Sequence, residues 1–282
     1  MRIPFRAVTG LAVLSVLALA GCAAPAVDPD ATPSADAHTG EVSHVHAIVI
    51  DPASGDFLLG THEGIFAATA DGHLGGRVGD AVFDAMGLVA VGDVLLASGH
   101  PGSNTPAEWG APNIGIIRSA DGAQSWEPVT FNGEKDFHAL TSAPGGIAYG
   151  LATDNPVMLV SADAGNTWTP TGLPLEAVSL AAMADGRVIA ATAQGLLESS
   201  DGAVSFTPWV GAPMLYTLSS SPNHSTLVGV DVDGVIWVTT EGSTEWRESG
   251  NAEGRAQAVT VTDGGTVAVF DDGGFRVIPP AS

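Results

Sequence analysis

Ser161-Ala162-Asp163-Ala164-Gly165-Asn166-Thr167-Trp168 is the best copy of an eight-residue pattern that recurs in this chain. Weaker copies run through residues 119–126 (SADGAQSW), 199–206 (SSDGAVSF) and 239–246 (TTEGSTEW). The aromatic residues that close the four copies lie 42, 38 and 40 residues apart. A period of about 40 residues is typical of the four-stranded blades of a β-propeller, so the repeat predicts the fold.

Each copy predicts a tight turn between two strands. The short acid accepts backbone N–H groups, a glycine tolerates positive φ, and the aromatic side chain packs beneath the turn. In the copies at 119 and 199 the glycine stands one residue earlier than in the 161 copy, at Gly122 and Gly202. The acids Asp121, Asp163 and Asp201 are therefore interpreted as structural.

The strand pattern predicts six blades, all β, in one domain over residues 41–282. Short apolar or alternating runs are bounded by Gly, Asp and Pro, with 36 Gly and 18 Pro in the chain. The first strands begin near His44, Asp84, Asp136, Ala177, Leu215 and Ala256. Little chain follows the third strand of the last unit, so we expect residues near Glu41 to Ser43 to supply its outer strand and close the ring.

The N-terminus has the features of an export signal. Arg2 and Arg6 precede an apolar run, Leu11 to Ala20, which is too short for a comfortable membrane span. Residues 19–22 (LAGC) resemble a bacterial lipobox, which implies cleavage before Cys22 and a diacylglycerol on its sulfur. We therefore expect a signal peptide over residues 1–21 and a mature protein anchored by lipid to the extracytoplasmic side of the cell membrane.

The composition limits the partners. Residues 22–40 lack periodicity and are predicted to be a flexible, lipidated linker. The net charge is −22, and removal of Arg2 and Arg6 with the signal leaves −24. A surface this acidic repels nucleic acid and attracts cations. We therefore expect no nucleic-acid partner. A protein or glycan ligand is compatible with this surface, and the chain is expected to be monomeric.

Histidines and carboxylates fall at matching places in the first three units. With the six first strands aligned, one position reads His44, Asp84, Asp136, Ala177, Leu215 and Ala256. The position two residues later reads His46, Met86, His138, Ser179, Thr217 and Ala258. His62 and His100 follow the second strands of units one and two. Residues i and i+2 of a strand face the same side, so we expect these five histidines to meet at one mouth of the central channel.

Such a cluster favours a divalent metal ion. Neutral imidazole is the commonest metal ligand, and several histidines with carboxylates suit zinc or copper, with Met86 as a soft copper ligand. The main candidate ligands are His46 and His138, supported by His44, His62 and His100, and about one bound ion is expected. Asp84 and Asp136 are interpreted as ligands, orienting groups or acid/base groups. The other histidines, His38, His73 and His224, are expected to be exposed.

The eight-residue copies resemble the Asp-box (BNR) motif, S-x-D-x-G-x-T-W, of sialidases, sortilin-type receptor domains and photosystem II assembly factors. The mature domain as a whole resembles a bacterial lipoprotein family described as glycosyl hydrolases with BNR repeats. This resemblance implies a propeller and, as one alternative function, an exo-α-sialidase-like glycosidase. A glycosidase needs two carboxylates, and the candidates at this mouth are Asp84 and Asp136, with Glu63 and Glu108 as further rim carboxylates. Sialidases use three arginines and a tyrosine nucleophile, and Arg118 and Arg247 fall on outer parts of blades instead.

A further alternative is a scaffold for protein partners. Asp-box propellers of the sortilin and photosystem-assembly kinds bind peptides or proteins. Unit two carries a long extra loop over residues 101–112 (PGSNTPAEWGAP), and loops of this length tend to be functional. Trp109 in that loop is therefore a candidate contact for a partner, and the alternative is that the loop packs over its own blade.

Overall fold

The computed structural model describes residue 42, residues 44–172 and residues 174–280 of the chain. Six antiparallel sheets follow one another along these residues, as the repeat predicts. Blade one contains β1 (Val45–Ile50), β2 (Phe57–Thr61), β3 (Gly64–Ala68) and β4 (Leu74–Arg77). Blade two contains β5 (Phe83–Val91), β6 (Val94–Pro101), β7 (Ile116–Ser119) and β8 (Glu127–Thr130). Blade three contains β9 (Phe137–Ala143), β10 (Ile147–Ala152), β11 (Asn155–Ser161) and β12 (Thr169–Pro170).

The second half of the chain repeats this plan. Blade four contains β13 (Ser179–Ala182), β14 (Val188–Thr192), β15 (Gly195–Ser199) and β16 (Thr207–Pro208). Blade five contains β17 (Leu215–Ser220), β18 (Thr226–Asp231), β19 (Val235–Thr240) and β20 (Arg247–Asn251). Blade six contains β21 (Ala258–Val261), β22 (Val267–Asp271) and β23 (Gly274–Ile278). The described chain is therefore an all-β, six-bladed propeller.

The ring closes through its first strands. Each first strand packs against the first strand of the next blade, and β21 of blade six packs against β1 of blade one. Blade six has three strands within the described residues. The strand expected near Glu41 to Ser43 stays a prediction, because residues 41 and 43 lie outside the described part. Val42 between them packs against a core cluster shared by blades one and six.

The second strands form the centre of each blade. Strands β2, β14 and β22 are buried along their whole length, since a middle strand is covered by the neighbouring blade on each face. Their Val, Leu, Ile, Phe and Ala side chains join clusters that bridge successive blades. Burial of apolar surface between blades thus holds the ring together.

The repeated turns explain why glycine shifts by one residue between copies. In each of the first three turns two successive residues have positive φ, at Gly122-Ala123, Ala164-Gly165 and Gly202-Ala203. The turn needs two left-handed positions, and glycine at either one relieves part of the strain. The buried serine that opens each turn accepts the N–H of the residue four positions later, at 2.9 Å in all three.

Gly99 in β6 is required by a close backbone approach. Its φ is +145°, and a Cβ there would lie 1.9 Å from the carbonyl oxygen of Asp84. Gly92 has φ +60°, and a Cβ there would meet nothing within 4 Å. We expect Gly99→Ala to lower the free energy of unfolding by about 2–4 kcal/mol and Gly92→Ala by only about 1 kcal/mol. Urea denaturation measures both, and equal losses would contradict the close approach.

Candidate metal centre

The first strands carry a β-bulge at the same place in the ring. Between β1 and β2, Val45 pairs with Thr61 and Ala47 with Gly60, so His46 is the extra residue. The pairing registers of blades two, three and five make Met86, His138 and Tyr216 the extra residues there. In blade four the N–H of Val178 donates to the carbonyl of Ala191, the residue that pairs with Ser179. In blade six the N–H of Gln257 donates to the carbonyl of Phe270, the residue that pairs with Ala258. Val178 and Gln257 therefore occupy the bulge position in their blades. All six bulge residues line the channel.

This register corrects the alignment expected from the sequence for blades four to six. Ser179, Thr217 and Ala258 lie one residue beyond the positions that match His46, Met86 and His138. The residues two before each bulge are His44, Asp84, Asp136, Glu176, Met214 and Arg255. Ala177, Leu215 and Ala256 were therefore aligned one residue too late, because a short apolar run marks a strand without fixing its first residue.

The five predicted histidines lie in two neighbouring groups rather than one. The first group joins His44, His46 and His62, whose ligand nitrogens lie within 4.8 Å of one another. The second joins His100, Asp136 and His138 within the same limit. Asp84 contacts both groups. Its carboxylate lies beside His46 and His62 of the first group, and its backbone pairs in register with His100 of the second. The predicted residues thus meet, but in two sets of three.

The first group is a compact set of imidazoles above a carboxylate. The ring centroids of His44 and His46 lie 4.7 Å apart, and that of His62 lies 5.1 Å from His44 and 4.7 Å from His46. Asp84 Oδ1 lies 3.3 Å from His46 Nε2 and 3.0 Å from His62 Nδ1. The hydroxyl of buried Thr61 accepts the N–H of Glu63 and donates to the carbonyl of Gly64, which fixes the turn that presents His62.

The electrostatics of the first group favour a neutral His44 and an ionised Asp84. Burial lowers the pKa of His44, and His46 and His62 beside it lower that pKa further. Burial acts to raise the pKa of Asp84, but hydrogen bonds from His46 and His62 outweigh it and leave the pKa below its ordinary value. These are the protonation states that a cation needs from its ligands.

The second group surrounds a buried carboxylate. Asp136 is only 4% exposed, and its Oδ2 lies 2.6 Å from His138 Nε2 and 3.5 Å from His100 Nε2. The carbonyl of Pro112 lies 3.4 Å from His100 Nδ1 and orients that ring. The backbone of Asp136 is held on both sides, because Ser98 accepts the N–H of Phe137 and the carbonyl of Asp136 accepts the N–H of Thr153.

One buried polar atom of the second group lacks a hydrogen-bond partner among the described protein atoms. It is Asp136 Oδ1, since the contacts of that carboxylate with His100 and His138 are made by Oδ2. Such an atom is costly to bury unless something satisfies it. An unpaired, buried carboxylate oxygen beside two imidazoles fits residues arranged to hold a cation.

The long loop of blade two is folded over its own blade. Its short 3-10 helix, Ala107–Trp109, places Trp109 at 3% exposure, edge-to-face with Phe83 at 5.7 Å. Of the two alternatives for Trp109, the packed one is therefore confirmed, since its ring belongs to the core. The loop instead delivers the Pro112 carbonyl to His100.

His224 differs from the exposed residue that the sequence predicts. It is half-buried on the channel wall, where burial lowers its pKa. His73 is exposed as expected, and His38 lies outside the described residues. Arg255, Gln257 and Tyr216 also line the channel, which sequence reasoning missed because only the bulge register reveals it.

The lowered pKa values of His44 and His224 predict a loss of stability in mild acid. Each group binds a proton less readily in the folded than in the unfolded protein, so the unfolded state gains protons first as the pH falls below about 6.5. We expect the unfolding free energy of metal-free protein to be lower at pH 5.5 than at pH 7.5. His224→Gln should reduce this difference, and the exposed control His73→Gln should not. A difference unchanged in His224→Gln would contradict the assignment.

Fold and site together define a six-bladed β-propeller with two histidine groups beside its channel. No protein-family model matches the chain, and no curated protein matches it. Among solved structures it is similar to a gluconolactonase from Xanthomonas campestris, at 12% identity and TM-score 0.63, over 83% of this chain and 84% of that one. It is also similar to virginiamycin B lyase from Staphylococcus aureus, at 13% identity and TM-score 0.52, over 86% and 87% of the two chains.

A third similar structure is the extracellular domain of the hybrid two-component system BT4673 from B. thetaiotaomicron, at 14% identity and TM-score 0.53. The match covers 86% of this chain and 32% of that chain, so this chain spans about a third of its length. At such identities the three likenesses show the propeller fold alone.

Proposed function

We propose that this chain is a metal-binding propeller that holds divalent ions, zinc or copper, in its two histidine groups. The observation that carries the proposal is the gathering of three ligand residues in each group within 4.8 Å. Nitrogen ligands at about 2.0–2.1 Å from a tetrahedral ion are roughly 3.3 Å apart, so small side-chain adjustments bring each set into range. The buried, unpaired oxygen Asp136 Oδ1 supports the same interpretation for the second group.

The two groups offer different ligands. His44, His46 and His62 supply three imidazoles, with Asp84 placed to orient two of them, an arrangement that suits zinc or copper. His100, Asp136 and His138 supply two imidazoles and a carboxylate, a set that leaves open positions on the ion. Two bound ions are therefore proposed instead of the single ion that the sequence suggested.

Calorimetric titration of chelator-treated protein with Zn²⁺ and then Cu²⁺ tests the proposal. We expect saturable heat with a stoichiometry of two ions per chain for at least one metal. The electron paramagnetic resonance spectrum of the copper form should show nitrogen ligation. Absence of heat with both ions would reject the metal centre.

We further propose that Cys22 carries the lipid that anchors the protein to the extracytoplasmic side of the cell membrane. The lipobox-like residues 19–22 support this, and Cys22 is the single cysteine of the chain. Within the described residues, no helix has the length and apolar character needed to cross a membrane. Cys22→Ser should move the protein from the membrane to the soluble fraction in cell fractionation, and an unchanged membrane fraction would contradict lipidation.

A glycosidase is a second candidate, favoured by the pair of carboxylates Asp84 and Asp136 at equivalent places in neighbouring blades. The serine and acid hydrogen bonds of the repeated turns support membership of the Asp-box class, to which sialidases belong. A fluorogenic sialoside and a panel of aryl glycosides test this function. Turnover that disappears in Asp136→Ala would establish it, and no turnover on the panel would leave the metal function alone.

A further inference from the structure

Arg255 occupies a distinctive place in the ring. Of the arginines and lysines in the described residues, it alone lines the central channel, which has a volume of about 1660 Å³. It stands two residues before the bulge residue Gln257, as His44 stands two residues before His46. Blade six therefore presents an arginine at the position where blade one presents a metal-ligand candidate.

Blades six and one contact each other next to Arg255 and His44. The side-chain oxygen Oε1 of Gln257 accepts the N–H of Val45 at 2.8 Å, which links the bulge of blade six to the residue after His44. The β21 and β1 strands pack side by side. Arg255 also acts electrostatically on His44, since it is one of the charges that lower the pKa of that imidazole.

The guanidinium of Arg255 makes no ion pair within the described residues, although acids lie nearby. Asp231 accepts the indole N–H of Trp237 at 2.8 Å and the backbone N–H groups of Asp233 and Val235. Asp272 accepts the backbone N–H of Arg255 at 3.1 Å. These carboxylates are thus engaged by other donors and shape the turns of blades five and six.

A bound divalent ion changes the sign of this part of the channel. Three neutral imidazoles leave the ion's two positive charges in place, and Asp84 offsets only one of them. Together with Arg255 the ion then adds positive charge to the wall between blades six and one of an acidic protein. Guanidinium groups bind planar carboxylates through paired hydrogen bonds, and an ion with open positions takes anionic oxygen.

We propose that the channel binds a small carboxylate ligand between Arg255 and the metal ion of the His44, His46 and His62 group. This inference rests on the proposed metal function and names the class of ligand that the site selects. Side chains such as Met86 and Tyr216 also line the channel, which suits an organic acid with an uncharged body. A strongly charged polyanion is disfavoured by the carboxylates of blades five and six.

Cobalt-loaded protein provides the test, because Co²⁺ replaces zinc at histidine sites and its visible absorption responds to a new ligand. The probes are acetate, malonate and succinate, with acetamide as the neutral control. We expect at least one carboxylate to shift the spectrum saturably and acetamide to leave it unchanged. Arg255→Gln should weaken that binding about tenfold or more, as expected for loss of a charge-assisted pair.

The matched control is Arg247→Gln, which removes an exposed arginine from the outer strand β20. It should bind the carboxylate as the unaltered protein does, and Arg255→Lys should fall between the two variants. Equal affinity in Arg255→Gln and Arg247→Gln, or no spectral shift with any of the three acids, would overturn the inference while leaving the metal function intact. Lack of a histidine-ligated cobalt spectrum before any acid is added would overturn both.

Discussion

Replacement of His46 by alanine is expected to remove one of the two bound zinc ions. His46 is the most enclosed imidazole of the first group, with its side chain only 10% exposed and its Nε2 directed at Asp84. Loss of an outer hydrogen-bond partner alone costs a metal site about 10–100-fold in affinity, so loss of a direct ligand should cost more than about 100-fold. His138→Ala should remove the second ion by the same reasoning, and the double variant should bind none.

Titration of each variant with Zn²⁺ measures both stoichiometry and affinity. The control is His73→Ala, which removes an exposed histidine paired only with Asp71. We expect two ions in the control, one in each single variant and none in the double variant. Retention of both ions in the double variant would contradict the assignment of ligands. Loss of both ions in either single variant would show one shared site.

Phe137→Ala should destabilise the fold by about 3–5 kcal/mol, the usual cost of emptying a buried aromatic position. Phe137 is fully buried, and its ring lies 5.3 Å from Trp168 and 6.0 Å from Phe131. Its N–H donates to buried Ser98, and its neighbours Asp136 and His138 belong to the second histidine group. One aromatic residue thus joins the closing tryptophan of a repeated turn to the wall of the channel.

Urea denaturation monitored by tryptophan fluorescence measures this loss. Val210→Ala serves as control, because that side chain is 91% exposed and its truncation should change the unfolding free energy by less than about 0.5 kcal/mol. Comparable losses in the two variants would contradict the role of Phe137 in the core.

The fold was predictable because a propeller repeats one local unit. Each Ser-x-Asp turn forms within eight residues, and the alternation of short apolar runs with Gly and Pro marks every strand between the turns. The count of six blades follows from this spacing and is confirmed by the six sheets. Local signals of this kind survive in sequence because they depend on neighbouring residues alone.

The arrangement of the site was only partly predictable. The residues at His44, His46, His62, His100 and His138 do gather, since topology places strand starts and second turns on one side. Their division into two groups depends on side-chain rotamers and on the contacts of Asp84 and Asp136 with the neighbouring imidazoles. A sequence pattern predicts neither of these. The expected alignment of blades four to six was one residue too late, because a short apolar run marks a strand without fixing its first residue.

Anomalous X-ray scattering from crystals of the zinc-loaded protein tests the central claim most directly. We expect one peak about 2.0–2.1 Å from nitrogens of His44, His46 and His62, and a second beside His100, Asp136 and His138. Data collected on both sides of the zinc absorption edge identify the element at each peak. Ions found only at the acidic outer surface, with neither histidine group occupied, would contradict the account.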